Sequence, residues 1–309
     1  MYLSEARESY NTGRMSKSEY IEERYKQNLA LFELSEFIRE TDIASIKITD
    51  GLVTMTTRST GIRLACEFAD KRSAPLEALN FGNYEKTEWE MLRRMMGKSF
   101  VVWDIGANVG WYALNLARLF PQARVLAFEP IPSTFRHLER NVQINNLSNI
   151  YIYNFGFSDG SGHIKFYLPS KNSANASFAN LSGDESALQV ICQVMRMDDF
   201  AEESDLKMDL VKCDVEGAEL LVLKGGAGSI ERYKPVIFTE MLRKWSAKFE
   251  YHPNQIIGLL GDMGYRCFTT LDQKLVEFFH MDEATTETNF FFLHSDKHSL
   301  LIDALCRKD

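Results

Sequence analysis

The chain has 309 residues, 45% of them hydrophobic, 12% aromatic and 25% charged, an ordinary globular composition and long enough to form a full core without staples. Its 35 Lys and Arg against 43 Asp and Glu give a formal net charge of −8, which disfavours a broad phosphate-tracking surface, because nucleic-acid binders usually carry a basic footprint. Five cysteines (Cys66, Cys192, Cys213, Cys267, Cys306) without a CxxC argue against a disulfide framework or zinc knuckle and fit a reducing compartment.

Residues 1–97 are polar. Tyr20, Tyr25, Leu29, Phe32, Leu34, Phe37 and Ile38 recur at roughly helical spacing up to Arg39, predicting a helix. Residues 46–56 alternate around Asp50-Gly51, predicting a hairpin. A second helix is expected near Thr87–Met96. From residue 100 the pattern becomes alternating β and α, with strands at 100–105, 124–128, 150–154, 206–213, 235–240, 265–269 and 289–293. Helices are expected at 109–120, 133–145, 218–230 and 253–263. Such alternation implies a mostly parallel sheet covered on both faces, and right-handed crossovers make it doubly wound. One stretch breaks the rhythm. Gly162–Leu168 and Gln189–Met195 read as strands flanking a polar run, Pro169–Ser177, which predicts a β-arm at about 160–196 between the third and fourth core strands. Long loops of this kind commonly act as lids or binding loops.

Asp104-Ile-Gly106-Ala107-Asn108-Val-Gly110 lies between a strand and a helix. Glycines there allow a tight turn and a close approach to a ligand. A dinucleotide site would show GxGxxG; here Asp104 stands at the first position, where an anion repels pyrophosphate and suits a cationic ligand such as S-adenosylmethionine. Glu129 ends the second strand about twenty residues later, where an acidic side chain can accept both ribose hydroxyls. Ser158-Asp159-Gly160 follows the third strand and is a candidate for the adenine side, or simply a β-turn.

These residues, with Phe128-Glu129-Pro130, Asn154, Met197-Asp198-Asp199-Phe200, the lead-in Phe81-Gly82-Asn83-Tyr84-Glu85 and above all Asp214-Val-Glu216-Gly217-Ala-Glu219, resemble the FkbM family of S-adenosylmethionine-dependent methyltransferases. The resemblance covers roughly residues 80–270. It implies a class I methyltransferase (Rossmann-like) α/β fold, doubly wound, with a mostly parallel seven-stranded sheet whose last strand is antiparallel. It also implies O-methylation. The chain then divides into an N-terminal α+β addition (1–97), expected to cap the core or mediate dimerisation, and a cofactor-binding core (98–309) carrying the β-arm.

Asp104, Gly106, Ala107, Asn108, Gly110, Glu129, Pro130, Ser158 and Asp159 form the expected cofactor set. Asp214, Glu216 and Glu240 form the expected catalytic set, since ligands bind beyond the carboxyl ends of such strands at the switch point. A desolvated carboxylate could serve as general base for a hydroxyl acceptor. The three could equally bind a divalent cation, although no HxH or HExxH accompanies them, and the favoured set holds no metal. Acidic residues near 216–219 also suit a helix N-terminus, and Asp198 reads as a cap of the helix that follows it. The favoured acceptor is a hydroxyl of a sugar, glycoconjugate or polyketide-like small molecule, an acceptor class that comes from the resemblance. RNA or protein methylation on the same fold, or cofactor binding without turnover, are the alternatives. No apolar run approaches the roughly 18 residues of a membrane span, and the start Met1–Glu8 lacks an apolar leader, so a cytoplasmic setting is expected.

Overall fold

The computed structural model describes residues 2–67, 70–168 and 188–306. Two helices come first, α1 (Leu3–Asn11) and α2 (Lys17–Phe37). Ser16 opens α2: its hydroxyl accepts the Glu19 amide, and the Glu19 carboxylate accepts the Ser16 amide, a reciprocal cap that satisfies two orphan donors. The helix buries none of its residues. Of the apolar positions read from the sequence, Tyr25, Leu29, Phe32 and Phe37 lie exposed, whereas Leu34 and Ile38 are half-buried against the core.

The hairpin follows as β1 (Ile43–Thr49) and β2 (Leu52–Thr57), turning at Asp50-Gly51 with both residues at positive φ, a geometry whose twist matches the flanking strands. A third strand that the sequence did not announce, β3 (Arg63–Cys66), pairs with β2. Its outer edge meets side chains of the helix α6 (Pro132–Asn145). Asn145 accepts the Arg63 amide and donates to its carbonyl, and Asn141 accepts the Ala65 amide. Helices α3 (Ala74–Phe81) and α4 (Lys86–Met95) then lead into the core.

The core runs β4 (Val101–Ile105), α5 (Trp111–Leu119), β5 (Arg124–Phe128), α6 and β6 (Ile150–Tyr153). The arm comes next: β7 (Gly156–Phe157), β8 (Gly162–Leu168) and β9 (Leu188–Met195) form a separate three-stranded sheet in the order β7-β9-β8. The run Pro169–Ser177 lies outside the described residues. The chain returns through α7 (Met197–Ser204), β10 (Leu210–Cys213), α8 (Glu219–Gly225), α9 (Ala227–Tyr233) and β11 (Val236–Glu240). It ends with α10 (Arg243–Ser246), α11 (Asn254–Asp262), β12 (Tyr265–Leu271), β13 (Lys274–Glu277), β14 (Asn289–His294) and α12 (Ser299–Leu305).

The main sheet has the order β13-β12-β14-β11-β10-β4-β5-β6. β11, β10, β4, β5 and β6 are parallel, and β14 is antiparallel to its neighbours β11 and β12. This is the class I methyltransferase arrangement with one strand more than the seven expected. The extra strand, β13, folds back on β12 through Asp272-Gln273, both at positive φ. Without a glycine at that turn the hairpin gave no sequence signal.

Alternation along the buried strands sends side chains to two cores. Val102, Val125, Ala127, Leu210 and Phe238 pack beneath α5, α6 and the N-terminal sheet, so Ile43, Ile62 and Leu64 share their cluster. Trp103, Phe128, Val211 and Ile237 face the other way, against Phe157, Phe200 and Leu223. The helix expected over 218–230 is two helices, interrupted at Gly226. Asp198 does not cap its own helix. It lies inside α7, and its carboxylate accepts the Gly228 and Ser229 amides, capping α9 instead.

Candidate functional site

The carboxyl ends of β4, β5, β10 and β11 open on one cavity of about 610 Å³, at the point where strand order reverses between β4 and β10. The N-terminal region supplies one wall through Arg72, Asn83, Tyr84 and Glu85, and the arm contributes Phe166.

Of the expected cofactor residues, Gly106, Ala107, Asn108, Glu129 and Pro130 line this cavity. The amides of Gly106 and Ala107 both donate to the Phe128 carbonyl at 3.0 Å, and that of Asn108 donates to Glu129 Oε2 at 3.0 Å. Three successive donors are thus turned toward the end of β5, and they form no nest for a pyrophosphate. Glu129 is held from both sides, since its Oε1 accepts the Ile131 amide at 2.9 Å. Burial pushes its carboxyl up to about 7 against the pull of these amides. Asn154 braces the segment by donating to the carbonyls of Glu129 and Pro130. Gly106 has φ 75°, and a Cβ there would run into the Asp214 carbonyl. The backbones of the first loop and the end of β10 are therefore in direct contact at Gly106.

The other expected cofactor residues lie elsewhere. Asp104 is 1% exposed and sits beneath the cavity. Its Oδ2 accepts the Ala113 amide at 3.0 Å and its Oδ1 lies 3.7 Å from Lys212 Nζ, so the charge that the sequence assigned to a cationic ligand is answered from within. Gly110, at φ 91°, lets α5 approach Leu138 of α6. Ser158 is buried with its carbonyl against Gly225, and Asp159 is exposed. The turn after β7 faces α8, and the neighbouring cavity wall is Gly156 and Phe157.

Asp214, Glu216 and Glu240 all line the cavity. Glu216 stands at φ 56°, in the left-handed region, followed by Gly217 at φ 102°. A Cβ at Gly217 would lie 2.9 Å from Trp245 and Phe249, so the sharp turn also permits close packing. Glu219 braces that turn. Its Oε1 accepts the Val215 and Gly217 amides at 3.0 Å, and its Oε2 accepts the Tyr251 hydroxyl at 3.2 Å. Burial, with Asp214 and Glu219 nearby, pushes the Glu216 carboxyl up to about 8. Burial, with Asp214, Glu216 and Glu219 facing it, pushes Glu240 up to about 10. Among the described residues no group of three His, Cys, Asp or Glu side chains is arranged to hold a metal ion.

Sequence reasoning missed Lys212. It is 5% exposed in β10 and stands in register with Asp104 on β4. Its Nζ donates to Asp214 Oδ2 at 3.0 Å and to the Gly106 carbonyl at 3.4 Å. Burial would lower its pKa, but Asp214, Asp104 and Glu85 outweigh that and raise it. The signal was present: a lone cation in a four-residue buried strand needs buried partners. Glu85, quoted only as part of the lead-in, accepts the Tyr112 hydroxyl at 2.5 Å at the cavity wall.

The family described as "Methyltransferase FkbM domain" matches residues 104–267. The chain belongs to this family. Methyltransferase 1 of Beauveria bassiana is 35% identical over 147 residues, covering 41% of this chain and 58% of that protein. The hexuronic acid methyltransferase AglP of Haloferax volcanii is 33% identical over 138 residues, covering 44% and 54%. The 2-O-methyltransferase NoeI of Sinorhizobium fredii is 30% identical over 155 residues, covering 45% and 62%. The chain spans less than two thirds of the length of each. An FkbM methyltransferase structure from Methylobacillus flagellatus matches with TM-score 0.41 at 20% identity, covering 64% of this chain and 44% of that one. For this member of the FkbM family, the matched segment contains Gly106, Glu129, Asp214, Glu216 and Glu240. The wall from Arg72 to Glu85 lies outside it. Among the described residues no helix is long and apolar enough to cross a membrane.

Proposed function

We propose that the chain is an S-adenosylmethionine-dependent O-methyltransferase acting on a hydroxyl of a sugar, glycoconjugate or polyketide-like small molecule. The observation that carries this reading is the single cavity that joins Glu129 and the first loop to Asp214, Glu216 and Glu240. Glu129, fixed by two amides, keeps lone pairs with which to accept the ribose hydroxyls, and Gly106, Ala107, Asn108 and Pro130 complete the cofactor end. The adenine side is assigned to Phe157, which replaces Asp159 in that role. S-Adenosylmethionine supplies the electrophilic methyl group.

The protein's part is to hold the acceptor oxygen in line at near-attack distance and to take its proton. Asp214 is the favoured base. Glu240, with its carboxyl held near 10, is neutral at pH 7 and can donate a hydrogen bond to an acceptor oxygen. Glu216 contributes to the same wall. The name of AglP, a hexuronic acid methyltransferase, supports a sugar-type acceptor, and that of NoeI, a 2-O-methyltransferase, supports transfer to oxygen. Six acidic side chains line the cavity (Glu77, Glu85, Glu129, Asp214, Glu216 and Glu240) against two cations, Arg72 and Lys212, a lining without the basic excess that RNA requires. In this reading residues 1–97 form a cap, because they supply the wall from Arg72 to Glu85, and 98–309 form the catalytic core.

A labelled-methyl assay tests the proposal with glycosides, polyketide-like alcohols, protein and RNA offered separately. Label should enter a small-molecule hydroxyl as a base-stable ether. Label confined to RNA or protein, or no transfer despite cofactor binding, would contradict it.

A further inference from the structure

We infer that Lys212 is a positioning residue: its ammonium fixes the Asp214 carboxylate at the cavity wall and ties it to the first loop. The inference rests on the methyl-transfer reading above, in which Asp214 faces the reacting methyl.

The arrangement follows from strand geometry. Lys212 and Asp104 stand side by side on parallel neighbours, and Asp214 lies two residues further on, where the backbone returns a side chain toward the same face. A lysine ammonium has three donors. Two oxygens accept from this one, Asp214 Oδ2 at 3.0 Å and the Gly106 carbonyl at 3.4 Å, and Asp104 Oδ1 lies 3.7 Å away as an ion-pair partner. The Tyr112 ring lies 5.4 Å from Nζ, and the Tyr112 hydroxyl donates to Glu85. With its donors directed at protein oxygens, Lys212 acts on a ligand through Asp214. The exposures agree, since the Lys212 side chain is 6% exposed and that of Asp214 30%. Both side chains line the cavity, and the carboxylate is the more exposed of the two. Without the ammonium, two carboxylates would share a buried site uncompensated, and Asp214, the more exposed of the two, would turn away from Asp104 and leave the cavity position that the ammonium fixes.

S-Adenosylmethionine carries a sulfonium charge that S-adenosylhomocysteine lacks, so the ratio of the two affinities reads the charge that Asp214 presents near the sulfur. Calorimetric titrations of the wild-type chain, Lys212→Met, Lys212→Arg, Asp214→Asn and the Lys212→Met/Asp214→Asn double variant with both ligands test the inference. The ratio should fall about tenfold in Lys212→Met and in Asp214→Asn. It should fall no further in the double variant, because both substitutions remove the same interaction. Lys212→Arg should keep most of the wild-type ratio. A merely structural lysine would weaken both ligands together. An unchanged ratio in Lys212→Met, or single losses that multiply in the double variant, would overturn the inference. Should Lys212→Met not fold, Lys212→Gln is judged by the same criterion. A wild-type chain that binds neither ligand would overturn the methyl-transfer reading along with this one, which tells that failure apart from a failure of Lys212 alone.

Discussion

Glu129 and Glu240 both follow from strand ends, line the same cavity and are pushed up by burial, yet they stop at about 7 and about 10. The difference lies in their neighbours. Glu129 has two backbone amides on its oxygens, which favour its charged form. Glu240 faces Asp214, Glu216 and Glu219, which oppose it. One end of the cavity is thus prepared to accept hydrogen bonds from a ligand. The other concentrates like charges that a ligand or a proton must relieve. Binding and chemistry should therefore respond to different substitutions.

The sharpest break is expected at Asp214. Asp214→Asn should lower kcat by about 10²–10⁴-fold, the usual contribution of a general base, with less effect on affinity for the neutral product cofactor. Steady-state kinetics on the acceptor found by the labelled-methyl screen measures this. Glu129→Ala should do the reverse, weakening cofactor affinity by about 10²-fold through the loss of two hydrogen bonds to a carboxylate, as read by calorimetry. Comparable losses of affinity from both substitutions would erase the contrast between the two ends.

Gly106→Ala tests the contact between them. A Cβ at φ 75° driven into the Asp214 carbonyl combines overpacking with left-handed strain, together about 2–4 kcal/mol. Thermal melting should show a fall of roughly 3–6 °C.

The smallest effect has the opposite sign. The folded-state Glu240 carboxyl lies near 10, above the unfolded value of about 4.3. Its contribution to stability is present below pH 4 and is lost as pH rises toward 10, because the folded state binds the extra proton in between. Glu240→Gln keeps the neutral shape. It should raise the melting temperature of the ligand-free protein at pH 8 by about 2–4 °C and leave it nearly unchanged at pH 4.5.

What the sequence disclosed follows the same physics. Alternating strands and helices, the glycine turn after β4 and the spacing to Glu129 are local or periodic, so they could be read along the chain. Lys212 could not be assigned in that way, because its role depends on the register that sets it beside Asp104. Asp104 stands at a strand end, as its position along the chain suggests, but its carboxylate meets the Ala113 amide and Lys212 beneath the cavity. Asp198 reads along the chain as a local cap, whereas its carboxylate reaches across to α9. β3 escaped notice because an irregular segment precedes it and helix side chains complete its edge. The wall from Arg72 to Glu85 is formed only when the N-terminal region packs on the core.

In the proposed function this cavity holds S-adenosylmethionine with Glu129 at its ribose. Calorimetric titration of the folded wild-type chain, repeated with Glu129→Ala, tests it most directly. One site per chain is expected, competed by S-adenosylhomocysteine and weakened about 10²-fold in Glu129→Ala. No heat of binding to the folded wild-type protein, or binding that survives Glu129→Ala undiminished, would contradict it.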